Sequence, residues 1–425
     1  MRCMRERWSE IVLIAFEGPD RYSFVGGLGT RMNDLADALV VRGYRVRHLF
    51  VGDPEGPPVE LRRDGALLLE RWGQWISGHH PKDVYDGEAG KADDFGRTVP
   101  PHLLREVIEP AARDGTRAVL LFEDWQTAAA AIGTAALAEA AGLRGHAAIF
   151  WNANNTYGFD RIDLPLLARA VTVTTISRFM HAEMVKAGVE PGILPNGIAE
   201  RFNTPVPPAD TRALRLAFAG RPTLVKVARF DADKRWLWAV DAIAHLRDAG
   251  QRPRFIMRGS RSDYAEVVDD RIRERGLSVE RIALGSDATP RDLAAALHES
   301  TADVAFLEFF VSERALRALY AAADGVLANS EKEPFGLVGL EVMACGGIAF
   351  VGRTGEDYAV PYGNAVVIQS ADPRELATHL ATLATRPDLV ERIRSDGRAT
   401  AKRFAWPRIL DALEVAWESA PTATS

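Results

Sequence analysis

The chain has 425 residues, 47% hydrophobic and 26% charged, with a formal net charge of −6 at pH 7. That length exceeds one comfortable core, so two domains are expected. The acidic balance and the lack of a Lys/Arg-rich run argue against a nucleic-acid partner. The two cysteines, Cys3 and Cys345, are too few for a disulfide framework or a Cys-ligated zinc site, and low cysteine use fits a cytoplasmic protein. Residues 1–10 are charged and lack the apolar core of a signal peptide. No run approaches about 18 apolar residues, so no membrane-spanning helix is expected. No basic amphipathic helix argues for a peripheral membrane contact, which the composition leaves open.

In chain order, residues 10–15 read as a buried strand. A loop ending in Gly26-Gly27-Leu28-Gly29 follows, and then Met32, Leu35, Ala36, Leu39 and Val40 recur at helical spacing. Residues 44–51 read as the next strand, which makes a strand–loop–helix–strand unit of a parallel sheet. Residues 53–101 are rich in Pro, Gly, Asp and Trp and read as a long excursion around a site rather than as sheet. Strand signals return at 118–122, 147–150 and 171–176. Pro205-Val206-Pro207-Pro208 marks a second break, with a domain boundary expected near residue 200. The alternation then restarts, with strands at 223–228, 254–257, 302–307, 325–328, 348–351 and 365–368. Residues 373–419 read as helical, broken at Trp406-Pro407. The expected fold class is α/β, with two doubly wound parallel-sheet domains over residues 1–200 and 201–405 and a terminal helical segment over 406–425.

Four strings carry chemistry. In the segment from Asn329 to Gly346 a strand ends, a turn holds Glu333 and Pro334, and a helix opens near Phe335-Gly336. Glu333 lies in the loop after the strand, where α/β sheets bind ligands, and Glu341 lies eight positions on, in the helix. Free N–H groups at a helix start suit a diphosphate, and Gly336 lets the backbone approach it. Carboxylates on either side accept hydrogen bonds from hydroxyls. Together these suit a diphosphate between two hydroxyl-rich groups, which describes a nucleotide sugar. Either glutamate alone reads equally well as a solvated surface residue.

In the second string Arg229 ends a strand and Lys234 opens a helix, so two cations can clamp a diphosphate and stabilise it as it leaves. An ordinary charged loop is the plain alternative. The third, Gly26-Gly27-Leu28-Gly29, can cradle phosphate, though such turns are common before helices. The fourth, Pro195-Asn196-Gly197-Ile198, reads as a structural turn near the domain junction.

Together the strings resemble the retaining glycosyltransferases of the GT-B fold, specifically glycosyltransferase family 4 and its glycogen-synthase-like relatives. Glu333 to Glu341 matches the Glu-x7-Glu string, and Arg229 to Lys234 matches Arg-x4-Lys. The resemblance spans residues 10–405 and is looser in the first half. It implies two facing Rossmann-like domains with a cleft between them, and transfer of a hexosyl group from a UDP-, GDP- or ADP-sugar to a sugar or small hydroxylated acceptor. Glu333 is implied to bind the donor sugar, Glu341 the ribose, and Arg229 and Lys234 the diphosphate. Phe335, Gly336 and the amides of Leu337 and Val338 are implied to line the nucleotide, with the Gly26 and Gly27 amides closing on the phosphate. The family uses no metal and no permanently bound cofactor. The terminal helix is implied to brace the N-terminal domain.

Departures are equally informative. Asp124-Trp125-Gln126-Thr127-Ala128 resembles the family's Asp-Trp-His-Thr-Ala string, but Gln126 replaces the histidine and cannot titrate. Phe24 stands where glycogen synthases place a lysine, which argues against a starch or glycogen synthase. Asp124, Gln126 and Asn154 are candidate sugar contacts, and Asn154 sits in a strand end that capping alone also explains. The acceptor wall is assigned to residues 53–101 through Trp72, Trp75, His79, His80, Tyr85 and Asp86, whose aromatic faces suit a sugar. The rival readings are a phosphorylase on the same fold, a dinucleotide-dependent oxidoreductase, and a catalytically silent sugar-binding partner; the first and third stay as alternatives. Gly26-Gly27-Leu28-Gly29 lacks the Gly-x-Gly-x-x-Gly spacing of the second.

Overall fold

The computed structural model describes residues 8–259 and 262–420; Cys3 and the last five residues of the segment 406–425 lie outside them. The chain divides into two compact units. Unit 1 runs to Ala199 and resumes at Trp406, and unit 2 spans Glu200–Ala405.

Unit 1 is an eight-stranded sheet of β1 (Trp8–Ile14), β2 (Val46–Val51), β3 (Val59–Arg62), β4 (Leu67–Trp72), β5 (Arg117–Glu123), β6 (Ala147–Ala153), β7 (Thr172–Thr175) and β8 (Gly192–Ile193). Their spatial order is β3-β4-β2-β1-β5-β6-β7-β8. Ile11 pairs with Val46 on one side and Val119 on the other, both in parallel register. The central strands are continuous apolar runs because helices cover both faces of a parallel sheet; every residue of β6 is buried. Helix α1 (Gly27–Arg42) follows the glycine loop, α2 (Glu88–Leu103) precedes β5, and α3 (Ala128–Ala140) follows it.

The excursion over residues 53–101 departs from the expectation of no sheet. It contains β3 and β4, the antiparallel edge hairpin of this sheet, and most of α2. Leu67 and Leu69 turn inward, while the outer strand Val-Glu-Leu-Arg carries charges that blunt a free edge.

Unit 2 is a seven-stranded sheet of β9 (Thr223–Val227), β10 (Arg254–Arg258), β11 (Val279–Ile282), β12 (Val304–Leu307), β13 (Gly325–Ala328), β14 (Ala349–Val351) and β15 (Val366–Val367), in the order β11-β12-β10-β9-β13-β14-β15 and parallel throughout. Its helices include α4 (Pro208–Ala217), α5 (Trp236–Asp248), α6 (Leu337–Ala344) and α7 (Pro387–Arg403). Trp236, Leu224, Phe255, Val304, Leu327 and Phe350 are central to its core.

The last helix, α8 (Trp406–Ser419), belongs to unit 1. Arg42 at the end of α1 donates to Glu414 Oε1 at 2.9 Å, and Tyr44 OH donates to the same oxygen at 2.9 Å. Fully buried Trp417 meets Tyr44 edge-on, with ring centroids 5.9 Å apart. Gly197 is required here, since a Cβ would lie 2.3 Å from the Trp406 ring. Among the described residues no helix is long and apolar enough to cross a membrane.

Candidate functional site

In unit 2, β9 and β13 are neighbours, and the chain leaves them in opposite directions, toward β10 and toward β14. Such a reversal opens a crevice at the carboxyl ends of the strands. Arg229 follows β9, and the segment from Asn329 to Glu333 follows β13, so two of the four strings converge on this point.

Arg229 is exposed, and among the described residues its guanidinium has no hydrogen bond or ion pair. Its carbonyl accepts from buried Trp236 Nε1 at 2.8 Å, which fixes the strand end. Lys234 closes a single 3-10 turn capped by the Asp231 side chain. Its ammonium lies 3.3 Å from Glu333 Oε2 and 3.3 Å from Asp233 Oδ2. Burial works to lower the Lys234 pKa, but these two carboxylates overcome it and the pKa is raised. Glu333 also accepts from Ser330 Oγ at 2.9 Å, and its backbone N–H donates to Thr354 Oγ1 at 2.8 Å. Arg229, Lys234 and Glu333 therefore stand on one sheet edge, with Lys234 and Glu333 in direct contact.

Helix α6 begins at Leu337, with Gly336 before it at φ +86 and no side chain capping its N–H groups. A Cβ at Gly336 would meet Glu356 and Tyr358 at 2.8 and 2.9 Å. Leu337, Val338 and Glu341 are partly exposed. Phe335 is implied by the resemblance to line the nucleotide, and its ring packs inward. That ring is buried against Tyr358 and Phe404, with centroids 6.0 and 5.9 Å away. It anchors the turn from below.

The motif strings do not name two groups beneath this edge. Lys226 is buried and donates to Leu327 O at 3.1 Å and Asn329 Oδ1 at 2.8 Å; burial lowers its pKa to about 7. Glu356 accepts from the N–H groups of Gly352 and Thr354 at 3.1 and 3.0 Å, and burial raises it to about 7. A lysine inside a strand, breaking the apolar run of β9, is the one signal that could have flagged the first.

Unit 1 repeats the geometry, with β1 and β5 at its reversal. Here the glycine loop follows β1 and Asp124-Trp125-Gln126 follows β5. In the loop expected to close on phosphate, three N–H groups already have a partner within the chain. Glu17 Oε2 accepts from Val25, Gly26 and Gly29 N–H at 3.0, 2.8 and 3.0 Å, and Tyr85 OH donates to Oε1 at 2.6 Å. A buried carboxylate thus takes the Gly26 amide assigned to phosphate, while a Cβ at Gly27 would meet open space.

Asp124 sits at φ +61, an uncommon backbone state for a side-chain-bearing residue. Its carboxylate accepts from Asn154 N–H at 2.8 Å and Asn155 Nδ2 at 3.0 Å, and burial raises its pKa to about 7. Asn154 donates through its side chain to Glu123 Oε2 at 2.6 Å, which makes it a strut of this network rather than an open sugar contact. Glu123 in turn pairs with Arg31 at 3.1 Å, and Arg31 also donates to Asn196, so the Pro-Asn-Gly turn is tied to the sheet edge. Gln126 Nε2 donates to Glu88 Oε1 at 2.8 Å, and its Oε1 is buried without a partner among the described residues. In the proposed acceptor wall, Trp75 is exposed and Trp72 donates to Thr98 at 2.8 Å.

Comparison with known proteins places these edges in context. Residues 211–400 match the family model described as glycosyl transferases group 1. The chain is 30% identical over 211 residues to a D-inositol 3-phosphate glycosyltransferase of Saccharomonospora viridis, covering 48% of this chain and 42% of that one. It is 29% identical over 185 residues to a GDP-mannose-dependent alpha-(1-6)-phosphatidylinositol dimannoside mannosyltransferase of Mycobacterium tuberculosis, covering 44% and 41%. The matched region spans less than half the length of these curated relatives. Sucrose-phosphate synthase from Thermosynechococcus elongatus superposes with a TM-score of 0.65 at 19% identity, over 96% of this chain and 98% of that one. The fold is GT-B. At that identity the likeness speaks for the GT-B fold alone, and the chemistry rests on the residues above.

Proposed function

We propose that the protein is a retaining glycosyltransferase that moves a hexosyl group from a nucleotide-diphosphate sugar to a sugar or small hydroxylated acceptor. One observation carries the reading. Arg229, Lys234 and Glu333 share the carboxyl edge of β9 and β13, beside the uncapped N–H groups of α6. The cations and the helix start suit the diphosphate, Glu333 and Glu341 suit the hydroxyls of sugar and ribose, and the exposed guanidinium of Arg229 is open to a ligand. As the sugar–phosphate bond breaks, charge develops on the diphosphate, and Arg229 and Lys234 stabilise it where it forms. Before that, Lys234 pairs with Glu333, so donor binding shares the ammonium between carboxylate and phosphate. The acceptor oxygen bonds to the anomeric carbon on the face that the phosphate leaves, which retains the configuration, and the departing phosphate takes the acceptor's proton. The names of both relatives contain inositol, so inositol phosphates lead the acceptor panel.

The test is thermal stabilisation by UDP-, GDP- and ADP-sugars, repeated on Arg229→Ala and Glu341→Ala. A donor at about 100 times its Kd adds roughly 2.7 kcal/mol to wild type, and both variants are expected to lose that gain. With the donor identified, Arg229→Ala is expected to lower kcat/KM by about a hundredfold or more. Stabilisation by none of the sugar nucleotides, with a response to pyridoxal phosphate instead, would replace this reading with a phosphorylase.

A further inference from the structure

Unit 2 contains a cavity of about 760 Å³ lined by none of Arg229, Lys234, Glu333 and Glu341. Its size is that of a small-molecule site. Its walls come from residues 203–208, from α4, from the Cys345-Gly346 turn after α6, and from α7. Five cations line it: Arg212, Arg215, Arg394, Arg398 and Lys402. Among the described residues no aspartate or glutamate does. The whole chain carries 58 acidic against 52 basic side chains, so five cations lining one cavity depart from its average.

Backbone carbonyls hold two of these cations, Arg394 and Arg215. Arg394 donates to the carbonyls of Ala321, Gly346 and Ala323 at 3.0, 3.0 and 3.3 Å, and Arg215 donates to Ala321 O at 3.3 Å. All three acceptors are neutral carbonyls. Burial and then the neighbouring Arg215 charge lower Arg394 to about 10. Acids stand nearby: Glu391, 3.9 Å from Arg398, Asp324, which lines the adjoining cavity together with Arg215 and Arg394, and Glu341 and Glu313, whose charges act on the Cys345 thiol. Arg212 and Lys402 have no ion pair among the described residues. Gly346, at φ +76, leaves room for Arg398, since a Cβ there would lie 2.3 Å from Arg398 Nη1.

We propose that this cavity is a second anion site of unit 2, binding a small soluble phosphorylated molecule independently of the donor residues. Guanidinium forks match phosphate oxygens in pairs, and the volume admits a diphosphate or a sugar phosphate. The cavity meets the C-terminal end of α6, whereas the donor residues use its N-terminal end, so one helix of about 12 Å separates the two. The proposal stands whether or not the transferase reading does.

The probe is pyrophosphate, titrated calorimetrically into the full chain carrying Arg229→Ala and Lys234→Ala, which removes the donor cations. One equivalent is expected to bind, with affinity falling about tenfold or more when Arg212→Ala and Lys402→Ala are added. Both added positions are exposed, and circular dichroism checks that the fold is kept. Unchanged affinity in that variant, no binding, or weak non-saturating binding of an adventitious ion only would overturn the proposal. So would cosedimentation with phosphatidylserine vesicles in the absence of pyrophosphate binding, because the cavity would then serve a lipid surface.

Discussion

Lys226 Nζ faces two acceptors, Leu327 O and Asn329 Oδ1, which the two protons of a neutral amine satisfy. Its folded pKa is about 7, against about 10.4 in an unfolded chain. Between those values the unfolded chain holds a proton that the folded one lacks. Lys226 therefore contributes stability in full above the unfolded value, and that stability is lost as pH falls toward 7. Melting temperatures at pH 7 and pH 10 are expected to differ less in Lys226→Met than in wild type; an equal difference would place the ammonium elsewhere. Asp124 and Glu356, both raised to about 7, have the opposite sign. Their folded state keeps a proton that the unfolded chain has lost, so their stabilisation is present at low pH and fades as pH rises from about 4 through 7.

At the scale of elements, the α8–α1 contact is open to direct measurement. Trp417→Ala removes a fully buried indole and is expected to cost about 3–5 kcal/mol in chemical denaturation. A cost under about 1 kcal/mol would mean that α8 is held by its ion pairs instead. Gly355 controls a second element, the turn at Glu333. A Cβ there would lie 2.1 Å from Pro334 O and 2.3 Å from Glu333 O. Gly355→Ala is therefore expected to weaken donor binding by displacing Glu333, and wild-type affinity in that variant would argue that the turn tolerates the shift.

The same elements mark what the sequence could reveal. Ile11–Ile14 reads as a buried strand because four apolar residues in a row have no solvent face. The Glu333 turn reads as a site because strand, turn, glycine and helix are contiguous. The β3–β4 hairpin was hidden because its exposed charges imitate a loop, and α2 was hidden by Pro100 and Pro101 inside it. Glu17 capping the glycine loop and Glu356 approaching Gly336 depend on chain returns that no local pattern encodes. The Gly26 amide, implied to close on phosphate, meets such a partner: it donates to a carboxylate nine residues earlier.

At the scale of the whole molecule, the two units each have their own sheet and core, and calorimetry is expected to resolve two transitions. Donor binding should raise chiefly the transition of unit 2, and Trp417→Ala should lower only that of unit 1. A single transition moved equally by both would show that the units unfold together.

Unit 1 is discontinuous in the chain, and this orders its birth on the ribosome. Its eight strands are synthesised first, but Trp406 and Trp417 emerge only after the roughly 200 residues of unit 2. At about 5–20 residues per second that is a wait of roughly 10–40 s. During it the Tyr44 face of the first unit is uncovered, and the second unit has its whole sequence available before the first does. Of the two units, the one begun first is thus the one finished last.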